Sequence, residues 1–156
     1  MKTDAQEFVE ASRHFLCGDF LPKLVGCLER MSEEDLWWRP NPQSNSVGNL
    51  VLHLCGNMRQ WIVSSIGGVA FERDRDAEFA ARGPVPRAEL IASIRATVVE
   101  VDRVLEGLAA KRLLDRLRVQ DYDGSVLQAI YHVVEHFSYH LGQIQYVQKL
   151  RAAHTS

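Results

Sequence analysis

Three histidines recur at every fourth position of the stretch HVVEHFSYHLGQI, residues 132–144: His132, His136 and His140. Positions four apart lie on one face of an α-helix, one above the next. Two neutral imidazoles at positions i and i+4 can bind one divalent ion, which is why helical zinc motifs use this spacing. The spacing also occurs often by chance, so its meaning depends on whether this face of the helix points to water or to the interior.

The helix face that carries the histidines is apolar. A projection at roughly 100° per residue places them among Ala129, Val133 and Val147, so they are predicted to point inward. A buried imidazole without a partner costs on the order of 1–3 kcal/mol. A single inward histidine is most often a core residue with a hydrogen-bond partner, but one apolar stripe offers few partners to three. The three together favour metal binding, which still needs a third ligand.

His53 is the best candidate for that third ligand. On its predicted helix, in NSVGNLVLHLCGN, one stripe holds four polar residues: Asn49, His53, Asn57 and Gln60. This stripe is either the solvated face of an amphipathic helix or one wall of a polar site, and periodicity does not choose between the two. The other histidines are less suitable, because no comparable polar stripe accompanies His14 and His154 lies at the end of the chain.

The elements that would position these residues are helices. Capping boxes, prolines and apolar periodicity predict four long ones, with these limits: Thr3 to about Arg30, Asn45 or Ser46 to Gly67–Gly68, Pro84–Pro86 through an apolar stripe to Leu108, and Ser125 to about Leu150. Pro22 should kink or interrupt the first, and Asp123-Gly124 predicts a turn before the fourth. Residues 32–42 predict a short helical turn and a connector. Since no strand pattern is convincing, we expect an all-α four-helix bundle.

Composition and charge restrict the kind of protein. The 156 residues are most simply one domain, 1–156, and 46% apolar with 24% charged residues is ordinary for a soluble globular protein. A formal net charge of -2 gives no basic field that would attract nucleic acid or an anionic membrane. The acidic start MKTDAQEF differs from a signal peptide, and no stretch approaches membrane-spanning length. The sequence thus predicts a cytoplasmic protein without nucleic-acid or membrane partners.

The two histidine segments, NSVGNLVLHLCGN and HVVEHFSYHLGQI, together resemble the DinB/YfiT-like superfamily of small helical-bundle metalloproteins. The stretches LWWRPNPQSNSVGNLVLHL and RDRDAEF suggest a branch known as a domain of unknown function. The resemblance implies an up-and-down four-helix bundle, often a homodimer, with the metal held by His53, His136 and His140. In the superfamily an arginine often follows the last histidine. This chain has Leu141 there, so no role of that arginine carries over.

The resemblance also implies a range of activities. Characterised members include transferases and isomerases that depend on bacillithiol, mycothiol or a similar small thiol, and others are described as metal-dependent hydrolases. We therefore expect a metal-dependent hydrolase or small-thiol-dependent S-transferase acting on a small molecule. Neutral nitrogen ligands suit a divalent transition metal, Zn or Ni first and Fe also. A low-molecular-weight thiol is a candidate co-substrate. The competing class is a non-catalytic metal-binding or stress-related assembly module.

Several further residues are candidates for the surroundings of the site. Gln143, Asn49 and Asn57 could orient ligands or line a pocket, and His132 fits such a role better than that of a fourth ligand. The segment from Gly67 to Val85 is either an ion-paired structural loop or a place where an arginine, Arg73 or Arg75, grips a substrate carboxylate. A ridge repeats every seven residues on the fourth helix, and it either packs internally or forms a dimer interface: Leu127, Val134 and Leu141.

Overall fold

The computed structural model describes residues 1–83 and 85–153, and most of them are helical. The α-helices are α1 (Asp4–Arg13), α2 (Leu21–Glu29), α3 (Glu33–Trp37), α4 (Val47–Met58), α5 (Arg75–Ala80), α6 (Arg87–Glu106) and α7 (Val126–Ala152). Shorter helical segments are the π-helices His14–Phe20 and Arg59–Ser64 and the 3-10 helix Ala110–Leu114. Strands β1 (Arg116–Val119) and β2 (Tyr122–Ser125) form one antiparallel hairpin. The expected all-α class is confirmed, with this hairpin as a small addition.

The first predicted helix forms as one helical stretch that changes type in its middle. The Thr3 side chain accepts from the backbone N–H of Gln6, and the Gln6 side chain accepts from the backbone N–H of Thr3. Helix α1 then continues into the π-helix before α2 begins at Leu21. Pro22 is the second residue of α2, and it has no N–H to offer to the preceding turn. The expected interruption at Pro22 is therefore seen as a π-helical stretch just before it.

Helix α4 is the central element of the bundle. Ser46, rather than Asn45, caps it, since the Ser46 side chain accepts from the N–H of Asn49. The residues of α4 are buried on nearly every side, because α3, α5, α6 and α7 all pack against it. The π-helix that follows ends at Ser64, slightly before the predicted end at Gly67–Gly68. Gly68, with φ of +76°, takes the left-handed conformation that glycine adopts without strain.

The hairpin corrects the prediction that no strand is present and that Asp123-Gly124 is a turn. The register pairs Val119 with Tyr122, so the turn lies at Gln120–Asp121, and Gln120 has a positive φ of 53°. Gly124 lies within β2 instead. A Cβ there would be 2.5 Å from the Tyr122 ring, so this glycine leaves room for a neighbouring side chain and does not make a turn.

The core lies between α2, α4, α6 and α7 and continues to the predicted ridge on α7. Leu141 is only 5% exposed and belongs to the core, while Leu127 and Val134 are partly buried against it. The ridge is thus largely internal packing. Pro84, expected to flank the start of the third long helix, and His154 lie outside the described residues. Within the described part, no helix is both long and apolar enough to cross a membrane.

Candidate metal centre

Three imidazoles from two helices converge in the interior of the bundle. His53 comes from α4, and His136 and His140 lie one turn apart on α7. The Nε2 atom of His136 is 3.1 Å from Nε2 of His53 and 3.1 Å from Nε2 of His140. In the part of the chain that the structure describes, ligand atoms of these three residues all lie within 4.8 Å of one another. The structure thus brings together the three histidines that the resemblance implied.

The spacing and chemistry of the group fit a transition metal. Nitrogens bonded to one ion at about 2.0–2.1 Å lie roughly 3 Å apart, which matches the spacing around His136. Hydrogen bonding alone satisfies the group poorly, because one proton on Nε2 of His136 would have to be shared between two acceptors. A bound cation would use all three lone pairs at once.

Burial keeps the imidazoles of His136 and His140 in the neutral form. His53 is 5% exposed and His140 is 9% exposed. Burial, followed by the repulsion from His140 and His53, lowers the pKa of His136 to about 3. Burial also lowers the pKa of His140, and the hydrogen bond with Gln143 only partly opposes this. Neutral imidazole is the form that binds metals, so the fold presents His136 and His140 in their metal-binding form.

Glu78 of α5 is a contact of the site that the sequence analysis missed. Its Oε2 is 2.9 Å from Nδ1 of His53. Arg73 donates to the same carboxylate from Nε at 2.7 Å and from Nη2 at 2.8 Å. Burial raises the pKa of Glu78, but the hydrogen bonds from Arg73 and His53 outweigh it, and the pKa is lowered overall. A buried, ionised carboxylate therefore lies directly behind the His53 ring.

The position of Glu78 follows from a short helix that the sequence analysis treated as loop. The side chain of Asp74 caps α5 by accepting from the N–H of Ala77. Residues 75–80 then turn once over α4, which places Glu78 against His53. In the segment RDRDAEF, Asp74 is a residue type that commonly caps a helix, and Ala77 and Glu78 are good helix formers that come soon after it. This pattern could have indicated the helix. The partner of Glu78 across the fold could not be read from local pattern.

The remaining residues of α7 near the site have distinct partners. The Nδ1 atom of His140 is 2.7 Å from Oε1 of Gln143, one turn further along the helix. His132, by contrast, is 3.3 Å from Nδ2 of Asn57 through its Nε2, and its ring packs on Trp61 with centroids 4.3 Å apart. His132 thus contacts α4 through Asn57, one helical turn away from His53, and is not part of the group of three.

Both asparagines of the α4 stripe are buried, at 0% exposure for Asn49 and 4% for Asn57. The interpretation of this stripe as a solvated face is therefore wrong. Asn49 donates from Nδ2 to the carbonyls of Glu78 at 2.8 Å and Ala81 at 2.9 Å. It fastens the α5 segment to α4 and lies one turn before His53. Asn57 lies one turn after it and contacts His132.

The two arginines considered for substrate binding occupy different environments. The Arg73 side chain is 6% exposed, and its Nη1 donates to Oε1 of Gln60 at 2.9 Å in addition to its bonds with Glu78. Its guanidinium is thus engaged within the fold. Arg75 is exposed, with its guanidinium carbon 5.1 Å from the centroid of the Phe79 ring. Phe79 in turn packs on His53, with ring centroids 4.6 Å apart.

A cavity of about 430 Å³ adjoins the histidine group on the side of His140. It lies between α7, the start of α4 and the connector before it, and these residues line it: Pro40, Gln43, Ser44, Asn45, Leu50, Tyr139, His140, Gln143, Tyr146 and Val147. Those lining residues offer amide, hydroxyl and aromatic groups, and none of them carries a formal charge at neutral pH. The volume is within the range of small-molecule sites.

The sequence matches a known protein family over most of its length. The model of a family described as a protein of unknown function, DUF1572, matches residues 5–155. The chain belongs to the DUF1572 family. Nearly the whole sequence is covered, including both histidine segments. No curated protein matches the sequence.

Two solved structures place the DUF1572 chain within the DinB-like fold. A DinB-like protein from Bacillus cereus ATCC 10987 has a TM-score of 0.69 and 14% identity, with 85% of this chain and 86% of that chain covered. A conserved protein from Enterococcus faecalis has a TM-score of 0.73 and 14% identity, with 90% and 95% covered. At this identity the likeness supports the fold, and the expected DinB-like bundle is confirmed.

Proposed function

We propose that this protein is a metal-dependent enzyme whose metal is held by His53, His136 and His140. The observation that carries the proposal is the convergence of three imidazoles that no fourth histidine, cysteine or carboxylate joins within the described residues. Catalytic zinc sites use three protein ligands and leave a position for water or substrate, whereas structural sites use four. The proposed donor set therefore favours catalysis over a structural role.

The proposed reaction class is hydrolysis or small-thiol-dependent S-transfer on a small molecule. A bound divalent ion, Zn or Ni first and Fe also, supplies either an activated water or a thiol held as thiolate. The protein contributes the three nitrogen donors and the hydrogen bond that holds His140 through Gln143. The uncharged cavity beside His140 would admit the substrate and, in the S-transferase case, the low-molecular-weight thiol.

Metal titration tests the ligand assignment. Chelator-treated protein should bind about one equivalent of Zn²⁺, Ni²⁺ or Co²⁺, and the bound ion should raise the melting temperature. His53→Ala, His136→Ala and His140→Ala should each lose most of this binding. His14→Ala, which removes an exposed histidine outside the group, is the matched control and should bind like the parent. Three ligand variants that all bind metal as well as the parent would refute the site.

The open coordination position is tested by spectroscopy. The visible spectrum of the cobalt-substituted protein should change when 2-mercaptoethanol or azide is added, because the azide anion, or the thiol bound as thiolate, can occupy the free position. A spectrum that responds to neither would favour the alternative function, a non-catalytic metal-binding or assembly module. The visible bands of the bound Co²⁺ should disappear in His140→Ala, which links the spectrum to this site.

A further inference from the structure

The contact between Glu78 and His53 has the geometry by which proteins orient a metal-binding imidazole. A histidine that binds a metal through Nε2 commonly donates Nδ1–H to a carboxylate or carbonyl, which fixes the tautomer and the plane of the ring. Here Oε2 of Glu78 is 2.9 Å from Nδ1 of His53, while Nε2 of His53 points to the other two histidines. We propose that Glu78 is the positioning residue that holds His53 in its metal-binding tautomer. This inference rests on the proposed metal site.

The surroundings of Nδ1 decide which tautomer is favoured. Two groups approach this nitrogen: Oε2 of Glu78 at 2.9 Å and Nη2 of Arg73 at 3.0 Å. If Nδ1 carried a lone pair, it could accept from Arg73, but it would also face the lone pairs of an ionised carboxylate at 2.9 Å. If Nδ1 carries the proton, it donates to Glu78, and Arg73 Nη2 donates to the same oxygen at 2.8 Å. The second arrangement satisfies every group, and it leaves the lone pair of His53 on Nε2.

Glu78 is held in place through both its side chain and its main chain. Arg73 binds both of its oxygens and is itself tied to Gln60. Asn49 donates to the backbone carbonyl of Glu78, so the main chain is fixed to α4 as well as the side chain. The side chains of Arg73 and Glu78 are 6% and 11% exposed, which excludes competing water from most of this contact.

Gly56 provides the space for this arrangement. It lies on α4, three residues after His53, and a Cβ built there would be 1.8 Å from Oε1 of Glu78 and 2.9 Å from Nε of Arg73. Glycine in a helix interior is otherwise unfavourable relative to alanine. An alanine at this position would therefore displace the carboxylate while every charged group of the site stays in the chain.

The first test needs no substitution. Proton–nitrogen correlation spectra of the imidazoles in metal-free wild-type protein should show that His53 carries its proton on Nδ1. The assignment of the signals is made with His53→Gln. A proton on Nε2 of His53 would overturn the proposal, whatever the behaviour of any variant.

The second test displaces or neutralises Glu78 and measures metal affinity by competition with a chromophoric chelator. Gly56→Ala should weaken Zn²⁺ binding by about 10- to 100-fold, the range typical for loss of such a partner. Gly142→Ala is the matched control, since it is the same substitution in α7 at a position with no atom within 4 Å of the new Cβ, and it should bind like the parent. A second variant, Arg73→Gln with Glu78→Gln, removes both buried charges together and should show a similar loss.

A purely structural role for Glu78 would give a different pattern. It would lower the melting temperature of the metal-free variants, but it would leave the His53 tautomer unchanged and the Zn²⁺ affinity within about twofold of the parent. This result would overturn the proposal.

His136→Ala tests the metal site separately from the role of Glu78, because no hydrogen bond joins His136 to Glu78 in the described residues. If His136→Ala binds Zn²⁺ normally, the metal site itself is wrong. If it loses binding while the Glu78 variants do not, the site stands and the positioning role falls.

Discussion

The imidazole of His132 packs on the indole of Trp61, with ring centroids 4.3 Å apart, and its ring centroid is 5.3 Å from that of His136. Its Nε2 faces Nδ2 of Asn57 at 3.3 Å. Trp61 also contacts the ring of Tyr122 from β2, with centroids 5.0 Å apart. His132 therefore joins the long helix to the hairpin and α4, although its spacing in the sequence makes it look like a third ligand.

This arrangement predicts that His132 does not bind the metal. His132→Ala should retain the metal equivalent of the parent, with Zn²⁺ affinity changed by less than about threefold, because its Nε2 already has a partner outside the ligand group. The substitution should instead lower the free energy of unfolding by about 1–3 kcal/mol, since it exposes Trp61 and leaves Asn57 without its partner. Chelator competition and urea unfolding measure the two effects. Loss of the metal in His132→Ala would make it a ligand.

The sequence was informative where local periodicity determines the structure. The capping boxes at Thr3 and Ser125 form as predicted, and Ser46 is the one of the two candidate caps that begins α4, because a cap is a contact within four residues. The inward direction of the histidines followed from the apolar stripe of the same helix. What periodicity could not provide was pairing between distant segments, and Glu78 is 25 residues from the histidine that it contacts.

The hairpin shows a second limit of sequence analysis. A glycine after an aspartate is typical of a turn, yet Gly124 lies in β2. Glycine fits there because the Tyr122 side chain fills the space that a larger side chain would need. Burial of the α4 stripe was likewise undetermined, since Asn49 and Asn57 are polar residues in the interior. Both are buried because the α5 segment and α7 cover them, which no pattern within α4 could reveal.

Asn49 is expected to be worth more to stability than an ordinary capping-box residue. Asn49→Ala removes the cap contact of α4 and also leaves the carbonyls of Glu78 and Ala81 without their donor. Gln128→Ala is the matched control, because Gln128 has the same capping-box position on α7. Asn49→Ala should lower the free energy of unfolding by about 1–3 kcal/mol more than this control. Equal losses in urea unfolding would show that the α5 segment does not depend on Asn49.

A homodimer remains a prediction, and the structure changes which residues could form its interface. Leu141 is buried in the core and is not available for an interface. Val134 is half-buried and borders an apolar groove that also contains three exposed aromatic residues: Phe15, Tyr131 and Tyr139. Light scattering should give twice the mass of one chain for the parent. Val134→Glu should give a monomer, because a carboxylate would be buried without a partner. Val99→Glu, at an exposed site on α6, should remain dimeric. A monomeric parent or a dimeric Val134→Glu protein would contradict this interface.

The ion pair between Arg13 and Asp102 predicts a specific dependence of stability on pH. Arg13, the last residue of α1, donates to Asp102 of α6 at 2.7 and 3.1 Å, and the hydrogen bond from Arg13 lowers the pKa of Asp102 below its usual value of 3.8. A carboxyl group with a lowered pKa in the folded state stabilises the fold above about pH 3.8, and this contribution is lost as the pH falls through the folded-state pKa.

Asp102→Asn should therefore lower the free energy of unfolding at neutral pH by on the order of 0.5–1 kcal/mol, a modest value because the pair is partly exposed. The difference from the parent should stay constant down to about pH 5 and shrink below about pH 4. The histidine titrations occur in both proteins and cancel in the difference. Asp121→Asn, in the exposed hairpin turn, serves as the control and should differ little from the parent at any pH. Urea unfolding at pH 7, 5 and 3.5 measures the three proteins, and a difference that persists unchanged at pH 3.5 would mean that Asp102 acts through packing and not through its charge.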